Sequence, residues 1–349
     1  MPESIFIEIN QQCNLNCKHC YNRSALFNSE IQISDFVSIL DGIKERKNIS
    51  LILSGGEPLL HSQFLDILNI SFNREFKNIV VVTNGTILKD MLPKIKSYKA
   101  IHFQISMDGL EGDKNLRGQY HFDQVKSAVA FLYHNGYKNG ELHMVVTRQN
   151  IDDIEPFFYY AVENCFFPTY SLIYKSGMAE DDWQQIGLTV NESNIINRKI
   201  ERIYKNYSNM LPTNVNYDLS ELLNRQRYRC PLMKDRHLSN CLIKTNGDVQ
   251  PCHALYDEVY CVGNAITTPL SMIADPEKNQ KFERLLTLFS LRENVLMDSH
   301  CQKCHIRDIC RGGCPAEAIS YSGNFLSIDN NCSYKRSNIA LSLIKSVRS

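Results

Sequence analysis

This sequence predicts an α/β fold: a partial (β/α)6 barrel followed by a small cysteine-rich α+β domain. Three observations lead there. Short apolar, β-branched runs alternate with helix-length amphipathic segments between residues 4 and 174, the signature of a parallel sheet with right-handed crossovers. Thirteen cysteines sit at the two ends of the chain, with Cys165 alone between Cys20 and Cys230. Many of them are separated by two, three or five intervening residues, a spacing of metal ligation rather than of a disulfide framework.

The first strand is Ser4 to Ile9, and a loop bearing Cys13, Cys17 and Cys20 follows it. Ser34 is a candidate helix cap, with Phe36, Val37, Leu40 and Ile43 on one face. Ile49 to Leu53 reads as strand two, Phe64 to Ile70 as a helix, Ile79 to Thr83 as strand three and Ile101 to Ser106 as strand four. Phe122 to Tyr133 is a helix stopped by Asn135-Gly136. Leu142 to Thr147 is strand five, Ile154 to Val162 a helix and Thr169 to Tyr174 strand six. In such folds the chemistry sits at the C-terminal ends of the strands. Ile195, Ile196, Lys199, Ile200 and Ile203 mark a bridging helix before the second domain. The expected division is 1–220 for barrel and bridge and 221–349 for the cysteine-rich domain. There, Asn246-Gly247-Asp248 reads as a hairpin turn that brings Cys241 and Cys252 together at its open end. Ser337 to Val347 has helical period.

The 349 residues are 43% hydrophobic and 22% charged, with no formal net charge, an ordinary globular composition. A pI near 7.1 offers no electrostatic surface for nucleic acid or anionic lipid. No apolar run approaches the ~18 residues of a membrane helix, and no signal peptide is evident. The expected setting is a reducing cytoplasm.

Cys13-x3-Cys17-x2-Cys20 places three thiolates on one tight loop. A cubane has four irons, so one iron is left for a small chelating molecule; tetrahedral zinc wants four ligands. Ser54-Gly55-Gly56-Glu57-Pro58 ends strand two, Thr83-Asn84-Gly85 strand three, and Ser106-Met107-Asp108-Gly109 strand four, with Asp113 and Arg117 beyond. The cysteine loop and the GGEP turn together resemble the radical S-adenosylmethionine (SAM) superfamily, whose barrel is TIM-like. The resemblance implies SAM on the open iron and its cleavage to a 5′-deoxyadenosyl radical. It also implies cofactor contacts from His19 and Tyr21 near adenine, from Gly55, Gly56, Glu57, Asn84 and Ser106, from Arg117 on the carboxylate, and from Thr147.

Near the other end stand Cys230, Cys241, Gly247-x4-Cys252, then Cys301-x2-Cys304-x5-Cys310-x3-Cys314 and Cys332. This order resembles the SPASM domain, although the 16 residues between Cys230 and Gly247 make a gap slightly longer than the pattern. The resemblance implies two auxiliary clusters, three 4Fe–4S clusters in all. Cys301, Cys304, Cys310 and Cys332 would hold one; Cys230, Cys252 and Cys314 the other, completed by Cys241 in preference to Cys261. The implied activity is hydrogen abstraction from a ribosomally made peptide, giving a crosslink or similar oxidation. Sulfatase-maturase-type oxidation of a Cys or Ser, or tetrapyrrole or sugar oxidation, are the alternatives. An external electron donor such as flavodoxin or ferredoxin is implied. With Cys13 so near the start, leader-peptide recognition is expected from a separate protein or from the barrel mouth.

Overall fold

The computed structural model describes residues 2–21, 23, 28–95, 98–110, 116–118, 120–212, 230 and 238–336. Six strands alternate with helices as expected: β1 (Ser4–Asn10), β2 (Ser50–Gly55), β3 (Asn78–Thr83), β4 (His102–Ser106), β5 (Gly140–Val146) and β6 (Phe167–Leu172). Between and after them lie α1 (Ile33–Asp41), α2 (Phe64–Phe72), the short α3 (Leu88–Met91), α4 (His121–His134) and α5 (Ile154–Glu163). The six strands run parallel in the order β6-β5-β4-β3-β2-β1.

Alternation along the strands sorts the two faces of the sheet. Ile5, Ile7, Leu51, Leu53, Val81, Phe103, Ile105, Leu142 and Met144 are fully buried in one apolar core with Phe36, Leu40, Ile67, Val129 and Phe157 of the helices. Residues of the opposite parity are polar toward the C-terminal ends: Glu8, Asn10, Ser54, Gln104, Ser106, His143, Thr169 and Ser171. They form the lumen of the partial barrel.

Three sequence expectations shift. Gln32, not Ser34, precedes α1, and Ser34 lies inside its first turn. Strand six starts at Phe167 and contains Pro168. The proline is tolerated because β6 is an edge strand, paired among the described strands with β5 alone. Ile195 is 65% exposed on the bridging helix, whereas Ile196, Ile200 and Ile203 are buried.

That helix, α7 (Val190–Asn206), follows the short α6 (Trp183–Ile186) and opens with a Thr189–Glu192 capping box. It does bridge. Asn194 Nδ2 donates to Ser333 Oγ at 2.9 Å, and Tyr334 Oη donates to Glu201 Oε2 at 3.2 Å.

The second domain begins with the expected hairpin, β7 (Asn240–Ile243) and β8 (Asp248–Gln250), turned at Gly247 with φ +85°. It is not a separate sheet. β7 pairs in parallel with β1, Ser4 against Asn240 through Ile7 against Ile243. β8 and β9 (Gly263–Asn264) continue antiparallel, giving one nine-stranded sheet. Helices α8 (Leu270–Ile273), α9 (Gln280–Asp298), α10 (Arg307–Cys310) and α11 (Pro315–Ser322) complete the domain. The division at residue 220, Asp113 and the Ser337 to Val347 stretch lie outside the described residues. Among the described residues no helix is long and apolar enough to cross a membrane.

Candidate iron–sulfur and SAM site

The cysteine loop leaves the end of β1, and the GGEP turn fixes where it goes. Glu8 pairs with Ser54 but Asn10 with Gly55, a bulge that bends the strand end toward β2. Gly56 N then donates to Asn10 O at 2.9 Å and Glu57 N to Gln12 O at 2.8 Å. A Cβ on Gly55 would sit 2.1 Å from Asn10 O, and one on Gly56 2.2 Å from Gln12 O. The glycines therefore admit the backbone that carries the thiols, a closer constraint than the ligand approach expected from sequence.

Glu57 is fully buried. Its Oε1 accepts from Leu59 N and Thr83 Oγ1, its Oε2 from Asn84 N at 2.7 Å. Burial pushes this carboxyl up to about 7, against the three donors that favour its charge. Glu57 thus ties β2 to the end of β3. Asn84, placed there, donates from Nδ2 to Asn14 Oδ1 at 2.9 Å and lies 3.8 Å from Cys13 Sγ, so it touches the loop as expected.

Cys13, Cys17 and Cys20 lie close enough that Cys20 acts on both other thiols. Burial raises Cys13 and pushes Cys17 up to about 12, the charge of Arg117 opposing it. Bare thiolates are disfavoured here, and binding iron must displace the protons.

His19 and Arg117 meet on a residue the expected site set omits. Asp108, just past β4, accepts from His19 Nε2 and from Arg117 Nε, both at 2.5 Å, and from Val145 N at 3.0 Å. Burial would raise its pKa, but Arg117 and His19 outweigh that and hold it well below the usual carboxylate range. Arg117 Nη2 also reaches Asp108 Oδ1, so two of its donors face Asp108 rather than a ligand. Thr147 is fully buried and engaged within its own loop, its hydroxyl on Asn150 Oδ1 and its N–H on the same atom at 2.7 Å. Asn150 Nδ2 returns to Asp108 O at 2.8 Å. Ser106 stands at the lumen, in register with His143, whose ring nitrogens meet Thr169 Oγ1 at 2.8 Å and Ser171 Oγ at 3.0 Å.

Two buried oxygens at the strand ends, Asn10 Oδ1 and Ser54 Oγ, have no hydrogen-bond partner among the described residues. Buried polar groups ordinarily find partners. An amine-bearing ligand beside the GGEP turn would supply them, and on this ground the residues fit SAM.

In the second domain Cys301, Cys304, Cys310 and Cys332 line one cavity with Ile306 and Ile328. Thiols spread around a cavity suit a multi-iron cluster. Cys230 acts on Cys314, and Tyr174, past β6, is held neutral chiefly by Glu317, then by burial, Cys314 and Cys252. These three thiols therefore gather at the lumen end of β6. Cys241 does not join them. It is 1% exposed, in register with Ile5 on the apolar face of the sheet. Burial alone raises it to about 12, with no contribution from another thiol. Continuing the hairpin register of Leu242 with Gln250 puts Cys241 opposite residue 251, one step from Cys252, but with its side chain on the core side. Cys261 Sγ lies 3.3 Å from Gly263 O.

Arg292 of α9 is fully buried. It donates to Phe325 O at 2.7 Å, Gly312 O at 2.8 Å and Ser327 O at 2.8 Å, wrapping the cysteine-bearing segment around itself.

Residues 7–160 match the family model of the radical SAM superfamily, and residues 230–305 that of an iron–sulfur cluster-binding domain, SPASM. The chain carries a radical SAM domain and a SPASM domain. It is an enzyme, and the radical SAM domain implies SAM and an iron–sulfur cluster. The mycofactocin maturase MftC of Mycolicibacterium smegmatis is 24% identical over 319 residues, spanning 90% of this chain and 78% of that protein. The AdoMet-dependent heme synthase of Nitratidesulfovibrio vulgaris is 23% identical over 353 residues, 94% of this chain and 91% of that one. The solved structure of native anSMEcpe with bound AdoMet and Cp18Cys peptide superposes with a TM-score of 0.73 at 17% identity, covering 99% of each chain. That likeness shows the fold.

Proposed function

We propose that this radical SAM enzyme oxidises a ribosomally synthesised peptide, forming a crosslink or similar modification, with three 4Fe–4S clusters. One observation carries the reading: Cys13, Cys17 and Cys20 follow the C-terminal end of β1, and Cys252 and Cys314 lie about Tyr174 just past the C-terminal end of β6, so thiols from both ends of the chain meet one edge of the same parallel sheet. Cys13, Cys17 and Cys20 would hold the SAM cluster. Cys301, Cys304, Cys310 and Cys332 would hold one auxiliary cluster, and Cys230, Cys252 and Cys314 contribute three thiolates to the other. With SAM bound, the first cluster supplies the electron for sulfonium cleavage and so the means to take hydrogen from an unactivated carbon.

The chain's own residues position and exclude. Asn10 Oδ1 and Ser54 Oγ accept from the SAM amino group. Asn84 offers its amide to the Cys13 sulfur. Asp108 keeps His19 and Arg117 fixed beside the loop. Ser106 offers its hydroxyl to whatever enters the lumen, beside His143, whose two ring nitrogens are held by Thr169 and Ser171. The peptide assignment is supported by the maturase relative and by the peptide-bound structure of like fold. The heme synthase relative supports a second reading, oxidation of a tetrapyrrole side chain. Reduction would come from a flavodoxin or ferredoxin in a reducing cytoplasm, and a separate protein or the barrel mouth would hold a leader peptide.

The test is anaerobic reconstitution followed by turnover with SAM, reductant and a short peptide encoded beside the gene. Expected are about twelve irons per chain, from four per cubane, 5′-deoxyadenosine, and a peptide lighter by a pair of hydrogens. About four irons would refute the auxiliary pair. An inert peptide with an oxidised Cys- or Ser-bearing protein segment, or an oxidised iron porphyrin, would move the assignment to that substrate.

A further inference from the structure

Glu8 is a carboxylate with no exposed surface, in the lumen one strand-turn before the cysteine loop. Two phenols from different parts of the chain donate to it. Tyr21 Oη reaches Oε1 at 3.2 Å, and Tyr256 Oη reaches Oε2 at 2.8 Å. Their rings meet edge to face, centroids 5.6 Å apart at 79°, a favoured aromatic arrangement. Tyr21 directly follows Cys20, and Tyr256 is the fourth residue after Cys252. Behind Tyr256, Lys244 Nζ sits 3.9 Å above the ring and donates to Tyr256 O at 2.8 Å. On the other side of the loop, Met178 N donates to Cys20 O at 2.9 Å, and Gly177 packs where a Cβ would lie 2.3 Å from Cys20 O and Tyr21 O. The end of the cysteine loop is thus held between the 177–178 turn and Tyr256.

We infer that Glu8 is a positioning residue, clasping Tyr21 of the SAM loop to Tyr256 of the auxiliary-cluster domain so that the two loops move as one. The carboxylate is suited to this. Ionised, it presents two acceptor oxygens to two phenol donors, and hydrogen bonds to a charged group are the stronger kind. An amide in its place offers one acceptor. Residues 7–160 and 230–305 fall to different family models, so the clasp joins the two modules at the point where both approach the lumen. SAM binding then depends on a phenol that belongs to the other module.

This inference rests on the reading that SAM binds at the Cys13–Cys20 loop. The test measures SAM dissociation constants by anaerobic equilibrium dialysis of the reconstituted holoenzyme and of Glu8→Gln, Tyr21→Phe, Tyr256→Phe and the double phenylalanine variant. Hydrogen exchange of residues 17–21 and 252–260 is followed alongside. Tyr256→Phe is expected to weaken SAM binding about five- to tenfold and to speed exchange in both segments at unchanged iron content. The double variant is expected to match the single ones, because either phenol alone leaves the clasp open. A Tyr256→Phe enzyme that binds SAM within twofold of wild type overturns the inference. So do single effects that multiply in the double variant. Should Glu8→Gln fail to fold, the two phenol variants decide. If the wild-type holoenzyme binds no SAM, the functional reading fails instead. Exchange of residues 17–21 in Tyr256→Phe then decides the clasp: unchanged exchange rejects it, and faster exchange supports it.

Discussion

Asp108 carries a buried charge balance that one atom would break. Replacing Asp108 with Asn keeps the shape but leaves the Arg117 guanidinium, 12% exposed, without its counter-charge. Breaking a buried pair from one side costs about 3–5 kcal/mol. Denaturant unfolding of Asp108→Asn should show a loss of that order, and Asp108→Asn with Arg117→Met should recover much of it. His121 gives the pH counterpart. It opens α4, is 6% exposed, and its Nε2–H donates to Asn84 O at 2.8 Å. Burial, with the charge of Arg117 and a smaller contribution from His19, lowers its pKa to about 4; Asp108 opposes them. Between the unfolded value near 6.5 and about 4, the unfolded chain binds the proton and the folded one does not. Stability from this residue is complete above about 6.5 and is lost as pH falls through that window, by about 3 kcal/mol in all. His121→Gln keeps a donor without the titration, so its unfolding midpoint should fall less steeply between pH 6.5 and 4 than that of wild type. At this scale the sequence showed the thiols, because ligand spacing is local. It hid the roles of Asp108, His121 and Glu8, whose partners lie 9 to 248 residues away. A charged residue at a lumen-parity position, such as Glu8 between Ile7 and Ile9, was the available clue.

The elements were legible where period and burial agree. Six strands and the helices α1, α2, α4 and α5 follow from alternating and 3.6-residue patterns, whereas the four-residue α3 is too short to show a period; boundaries moved by a few residues, as at Gln32 and Pro168. The cysteine-rich half was less so, because a ligand's identity depends on which strand face it occupies. Cys241 shows this. It stands as an extra cysteine inside the pattern's first gap, where it could complete a cluster, yet a parallel pairing with β1 turns its thiol into the apolar core. Cys241→Ala should therefore keep the wild-type iron content and the magnetic spectrum of the reduced clusters, and cost stability only as a small core truncation does. Cys314→Ala should lose up to about four irons. Equal iron loss in the two variants would return Cys241 to the ligand set. Helix α9 belongs to the same scale: Asn279 caps it through Lys281 N and Phe282 N, and from its interior Arg292 gathers carbonyls of a segment 20 to 35 residues further on.

For the whole molecule, the two modules share one sheet. Residues 4–7 of β1 have β2 on one side and β7 on the other, and Glu3 N adds a bond to Ser239 O at 2.7 Å. The second module therefore closes the barrel's first edge as well as bringing clusters. An edge strand needs charge, proline, a bulge or a cover to prevent pairing with other chains. Along Ser-Ile-Phe-Ile, the stretch covered by β7, there is neither proline nor charge, and the bulge lies beyond it. Truncation after residue 212 would expose those backbone groups together with Ile5 and Ile7, and would remove Tyr256 from Glu8. Such a chain is expected to aggregate under conditions where the full chain is monodisperse, as read by size exclusion with light scattering. Replacing Phe6 with Lys puts a charge on the lumen face of the bared edge and should reduce that aggregation. A monodisperse truncated monomer with the helical circular dichroism of an intact barrel would show that β1 needs no cover, and the dependence of the barrel on its second module would fall.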